Sequence, residues 1–122
     1  MRHAKDEDAA YRNLAFALVE SAAIDYHNFY NPDLRAKRLK FSSQVSARAD
    51  AERARRWIRG EPARYPFSLA AAWLNWDADV LADYLLSGRT GENLLLQAAT
   101  TEKNKHRSPE DRLASFLGVE HD

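Results

Sequence analysis

A chain of 122 residues with 45% apolar and 30% charged side chains is sized for one domain. A mean hydropathy of −0.61 and the lack of any apolar run near twenty residues leave no material for a membrane span. With no cysteine, disulfides, thiolate metal sites and thiol nucleophiles are excluded, and the charged residues after Met1 do not read as a secretory leader, so a cytoplasmic protein is expected. Four Gly and four Pro against abundant Ala, Leu and Arg leave little for strands or hairpins. The expected fold is all-α, a single small domain of five to six helices.

The periodicity begins at once. Over 6–30, Tyr11, Ala15, Leu18, Ala22, Tyr26 and Phe29 recur at spacings of three and four, with Phe16, Val19 and Ala23 widening the stripe. Such a helix should be packed on more than one side and lie at the centre. Asn31-Pro32-Asp33 ends it. Residues 33–45 follow as a basic stretch that reads equally as a helical turn or a mobile loop. From 46 to 59, Ala47, Ala51, Ala54 and Ile58 form a small-residue stripe, with Arg48, Glu52, Arg55 and Arg59 opposite and Gly60 placed as a left-handed cap.

Pro62 and Pro66 stiffen the next connection. Phe67-Ser68 then reads as a staple and cap opening a helix-turn-helix-like corner at about 68–86. In it Ala71 is the small residue, Leu74 the apolar one, Asn75 the turn residue tolerant of positive φ, and Leu81 with Tyr84 or Leu85 the buried face. Asp77 is placed to cap the second helix, and Ser87-Gly88 to end it. A further helix is expected from about Glu92 to Thr101. Residues 1–103 thus make the helical domain. Residues 104–122 hold a polar linker and a short closing helix, the latter introduced by Ser108-Pro109-Glu110-Asp111.

Three pieces of this chain resemble small bacteriophage- and prophage-encoded helical proteins. They are an Ala-x-x-Asp-Tyr helix ending (Ala22 or Ala23 to Asp25-Tyr26), an Ala-x-x-Trp-Ile segment (Ala54 to Ile58) and the Phe67-Ser68 opening. The resemblance covers about residues 14–86. It implies a compact helical regulator or accessory factor.

Net charge is zero, but the distribution is uneven: 33–64 holds ten basic and four acidic side chains, whereas 65–122 holds five and nine. The second helix of the corner carries Asp79 and Asp83 where a DNA-reading helix would carry Arg, Lys, Asn or Gln. Its outward residues are expected to be Ala78, Asp79, Ala82, Asp83 and Leu86. A nucleic-acid contact is therefore expected on Arg48, Arg55, Arg56 and Arg59, assisted by Lys37, Arg38 and Lys40. The function this implies is a small non-enzymatic regulator acting at DNA or on the transcription machinery. The alternative is a protein that binds a host protein through Asp79, Asp83, Leu113, Phe116 and Leu117, while the segment after Asn104 could serve as an arm for a homodimer. No cofactor, metal or membrane partner is expected, because the four His are scattered. Asp25, near the apolar stripe, is expected to pair with an arginine of the second helix.

Overall fold

The computed structural model describes residues 2–31, 44–99 and Asp111. It shows five helices and no strand among them. These are α1 (Arg2–Tyr30), α2 (Gln44–Ile58), α3 (Phe67–Trp73), α4 (Ala78–Leu85) and α5 (Gly88–Ala99). The basic trio Lys37, Arg38 and Lys40, the closing group Leu113, Phe116 and Leu117, and the boundary at 103–104 lie outside the described residues.

The long α1 is the centre of the domain, in contact with α2, α3 and α5. Ala15, Phe16, Val19, Ala22 and Ala23 are all buried, which requires cover on two sides. Along α2 the expected stripe of Ala47, Ala51, Ala54 and Ile58 is buried as well. Alanines at these positions let the α1 and α2 backbones approach closely. Tyr30, at the end of α1, reaches Glu52, whereas Leu18, three turns earlier, shares a cleft with Trp57 near the end of α2. The two helices therefore lie antiparallel.

Two helix ends are built the same way. At the end of α2, Gly60 takes φ +103, its N–H donates to the Trp57 carbonyl (3.0 Å), and the Glu61 N–H donates to the Arg56 carbonyl (2.9 Å). At the end of α3, Asn75 takes φ 61, donating to Ala72 (3.0 Å), while the Trp76 N–H donates to Ala71 (2.9 Å). Each is a paired closure around a left-handed residue that satisfies two otherwise orphaned carbonyls. Asn75 stands where such corners usually carry glycine. Because a β-branched side chain is strained at this φ, Asn75→Val should lower unfolding free energy by about 1–2 kcal/mol, with Asn75→Gly close to neutral. Denaturant titration of the two variants measures the difference, and equal stability would contradict it.

Several expected boundaries shift: α1 begins at Arg2 and α2 at Gln44, each before the expected start at 6 and 46. Phe67 is the first residue of α3, not the residue before a Ser68 cap: Pro66 occupies the cap position, no side chain caps it, and Ser68 is exposed. Phe67 is instead buried, its ring edge-to-face with Trp57 at 5.2 Å, so burial rather than capping fixes this start. Asp77 does cap α4, accepting from the Val80 N–H at 3.0 Å. Ser87-Gly88 does not form a left-handed stop: Gly88 opens α5 four residues earlier than expected. The Tyr84 carbonyl at the end of α4 accepts from the Ser87 N–H (3.1 Å) and from the hydroxyls of Ser87 (2.7 Å) and Thr90 (2.5 Å). Thr90 is wholly buried, and the Ser87 to Gly91 segment is a tight helix connection.

The core draws on all five helices: Ala15, Val19 and Ala23 from α1, Ile58 from α2, Ala70 and Ala71 from α3, Leu81 and Leu85 from α4, and Leu94 from α5. Trp57, Trp73 and Trp76 are half-buried against this cluster.

Candidate functional site

The exposed face of α2 is the most basic surface among the described residues. Arg48, Arg55 and Arg59 recur at helical spacing, Arg56 lies beside them, and all four are exposed because the opposite, alanine-rich face is the one that packs on α1. The helix thus brings the four together as the sequence suggests. Glu52 sits in the middle of the row, and its carboxylate accepts from Arg55 (3.1 Å) and from the Tyr30 hydroxyl (3.0 Å). These two hydrogen bonds, Arg55 first, hold the Glu52 carboxyl below its ordinary value, so it is fully ionised at neutral pH. Arg55 is correspondingly pushed up by the same bond, and Tyr30 is raised, chiefly by desolvation and then by Glu52.

Two further carboxylates reach the row from its end. Arg56 Nε lies 3.4 Å from Glu61, and Arg59 lies 3.7 Å from Asp83 of α4. Arg53, on another side of α2, pairs with Asp50 at 3.1 Å. All of these are exposed contacts between long side chains, which contribute little to folding and exchange readily for phosphate. The row is therefore basic but partly self-neutralised, with Arg48 its one cation lacking an ion pair among the described residues.

The outer face of α4 differs from expectation. Asp79, Val80 and Asp83 are exposed, Val80 to 56%, but Ala82 is buried and Ala78 and Leu86 are half-buried. The cause is an open cleft of about 330 Å³ in which Ala78, Asp79, Ala82 and Asp83 face Ile58, Arg59 and Gly60 at the end of α2. Part of the face of α4 that a reading helix would lay against bases is thus turned toward the end of α2. The same packing also places Asp83 against Arg59, which joins the two groups of candidate residues into one surface of alternating charge.

A second cleft, of about 300 Å³, lies between α1 and α2, lined by Leu18, Ala22, Asp25, Asp50, Arg53 and Trp57 among others. Asp25 does not pair with an arginine there, because Arg53 donates to Asp50 instead. Burial first, and Asp50 next, push the Asp25 carboxyl above its ordinary 3.8 against the opposing pull of Arg53.

Sequence reasoning passed over His27. It is 4% exposed, continuing the Val19–Ala23 line at spacings of four, and its Nε2–H donates to the Leu85 carbonyl at 2.6 Å. Burial lowers its pKa below 6.5, partly offset by that bond. A neutral, hydrogen-bonded ring at this point is structural: it ties α1 to the end of α4. Among the described residues no group of three or more His, Cys, Asp or Glu side chains comes together to hold a metal. No described helix is long and apolar enough to cross a membrane. Comparison with protein-family models, characterised proteins and solved structures gave no match.

Proposed function

We propose that this chain is a small non-enzymatic regulator, phage-like in type and working in the cytoplasm, that acts at DNA through the arginine face of α2. The observation that carries the reading is the uncovered row Arg48, Arg55, Arg56 and Arg59 on a helix whose other face is locked against α1. Guanidinium groups held on a rigid helix suit phosphate oxygens, and the paired carboxylates are weak, exposed competitors. In sequence, Lys37, Arg38 and Lys40 extend the same basic segment. Because α4 is acidic outward, the contact is with backbone phosphates and carries little base reading. Arg55→Glu combined with Arg59→Glu should weaken binding to a 20-base-pair duplex by on the order of tenfold or more at low salt. Asp79→Lys with Asp83→Lys should strengthen it. Fluorescence anisotropy measures both. Equal affinity of the arginine variant and the native chain would overturn the reading.

A second reading is a protein that binds a host protein without nucleic acid. It is favoured by the exposed Val80 between Asp79 and Asp83, together with exposed Leu69 on α3. Under it, the Asp79→Lys/Asp83→Lys variant loses its partner, and nuclease treatment leaves the complex intact.

A further inference from the structure

We propose that Tyr11, Trp73 and Tyr65, with Arg12 and Arg64 beside them, form a stacking platform for the unpaired bases of single-stranded nucleic acid. The platform contains no residue of α2, so it stands or falls apart from the duplex contact above.

The rings come from three places in the chain. Tyr11 of α1 stacks on Trp73 of α3 with centroids 5.0 Å apart and planes 24° apart, and Tyr65 of the connecting segment tilts toward Trp73 at 6.4 Å. The segment is pinned, because the Trp57 indole N–H donates to the Tyr65 carbonyl at 2.8 Å. Tyr11 nevertheless remains 48% exposed, a large ring carried on the central helix. A base that stacks there has no loop or side chain to order first, which removes much of the usual cost of binding.

Charge and shape together decide the occupant. Arg12, adjacent to Tyr11, and Arg64, whose guanidinium lies 5.7 Å over the Tyr65 ring, are both exposed. Arg53, Arg55, Arg56 and Arg59 of α2, by comparison, each contact a carboxylate. Exposed cations beside partly exposed aromatic rings suit a chain that alternates phosphate and base. A duplex keeps its base faces stacked inside, so only an unpaired strand can use such a platform. A proline-rich peptide needs a slot between rings, and here Tyr11 and Trp73 are closed on each other.

The test is a titration of the full chain with a twelve-residue oligothymidylate at about 0.15 M salt, where charges beyond roughly 8 Å are screened, reading tryptophan emission and anisotropy. The oligonucleotide should bind and quench emission. Tyr11→Ala should weaken binding on the order of tenfold, while Tyr11→Phe, which keeps the ring, should leave it nearly unchanged. Arg64→Ala, at an exposed position, should weaken it several-fold and serves where Tyr11→Ala perturbs folding. The Arg55→Glu/Arg59→Glu variant should still bind the oligonucleotide, even if it has lost the duplex. Absence of binding and quenching, or native affinity in both Tyr11→Ala and Arg64→Ala, would overturn the proposal. So would quenching by a proline-rich decapeptide but not by the oligonucleotide.

Discussion

Gly91→Ala is expected to destabilise this protein by about 1–3 kcal/mol, although the same change inside an exposed helix stabilises by about 1 kcal/mol. The sign reverses because α5 crosses α1 at this glycine. A Cβ there would lie 2.9 Å from His27 Nδ1, 3.0 Å from Asn31 Nδ2 and 3.4 Å from His27 Cε1. The imidazole cannot swing aside, since it is buried and its Nε2–H is committed to Leu85. Either α5 lifts or the bond to Leu85 stretches, and both loosen the seam between α1 and the α4–α5 turn. Denaturant unfolding of Gly91→Ala beside the native chain measures the effect. A stabilised variant would show that the close approach is not there.

The second large effect belongs to His27 itself. His27→Ala removes a buried ring and leaves the Leu85 carbonyl, at the end of α4, without its donor, a combined loss of about 2–4 kcal/mol. The native residue also makes stability depend on pH. Burial lowers its folded pKa below 6.5, so on acidification the unfolded chain takes up the proton first. The His27 contribution is thus complete above about pH 6.5, declines as the pH falls from there, and is lost once the pH passes below the folded value. His27→Phe keeps the ring volume but cannot titrate. The native-minus-variant difference in unfolding free energy should therefore shrink between pH 7.5 and pH 5, and a difference independent of pH would contradict the assignment. Asp25 shifts in the opposite sense, burial raising its carboxyl above the ordinary 3.8, and because native and variant share it, its contribution cancels in the difference.

The elements that were legible in the sequence are those in which local chemistry and tertiary packing agree. Gly60 and Asn75 both adopt the left-handed conformation that their residue types favour, Asp77 caps α4, and the alanine stripe of α2 is buried. Where packing overrides local preference, the sequence is a poorer guide. Ser68 has the chemistry of a cap, but the gain from burying Phe67 against Trp57 starts the helix one residue earlier. Gly88 looks like a stop, yet the short turn satisfies the Tyr84 carbonyl with the Ser87 N–H and two hydroxyls and needs no left-handed residue.

The candidate site shows the same division. Spacing alone placed Arg48, Arg55, Arg56 and Arg59 on one face, because a helix fixes its own periodicity. Spacing carries no information about contacts from other elements. Asp83 approaching Arg59, the turning of Ala82 into the cleft, and the stacking of Tyr11 on Trp73 all join residues more than twenty positions apart. Similarly, His27 looks like one of four scattered histidines until α4 and α5 close over it. A histidine at a core spacing, here four residues after Ala23, was the signal available.

Whether the arginine face of α2 engages phosphates is tested most directly by the salt dependence of duplex binding. Four arginines paired with phosphates should give a slope of log affinity against log salt of about −3 to −4, steeper if Lys37, Arg38 and Lys40 also take part. The measurement is an anisotropy titration of the full chain with a 20-base-pair duplex at several salt concentrations. Binding at low salt with that slope, flattened by roughly two in Arg55→Glu/Arg59→Glu, is the predicted result. No binding at low salt, or a slope shallower than about −1, would contradict it.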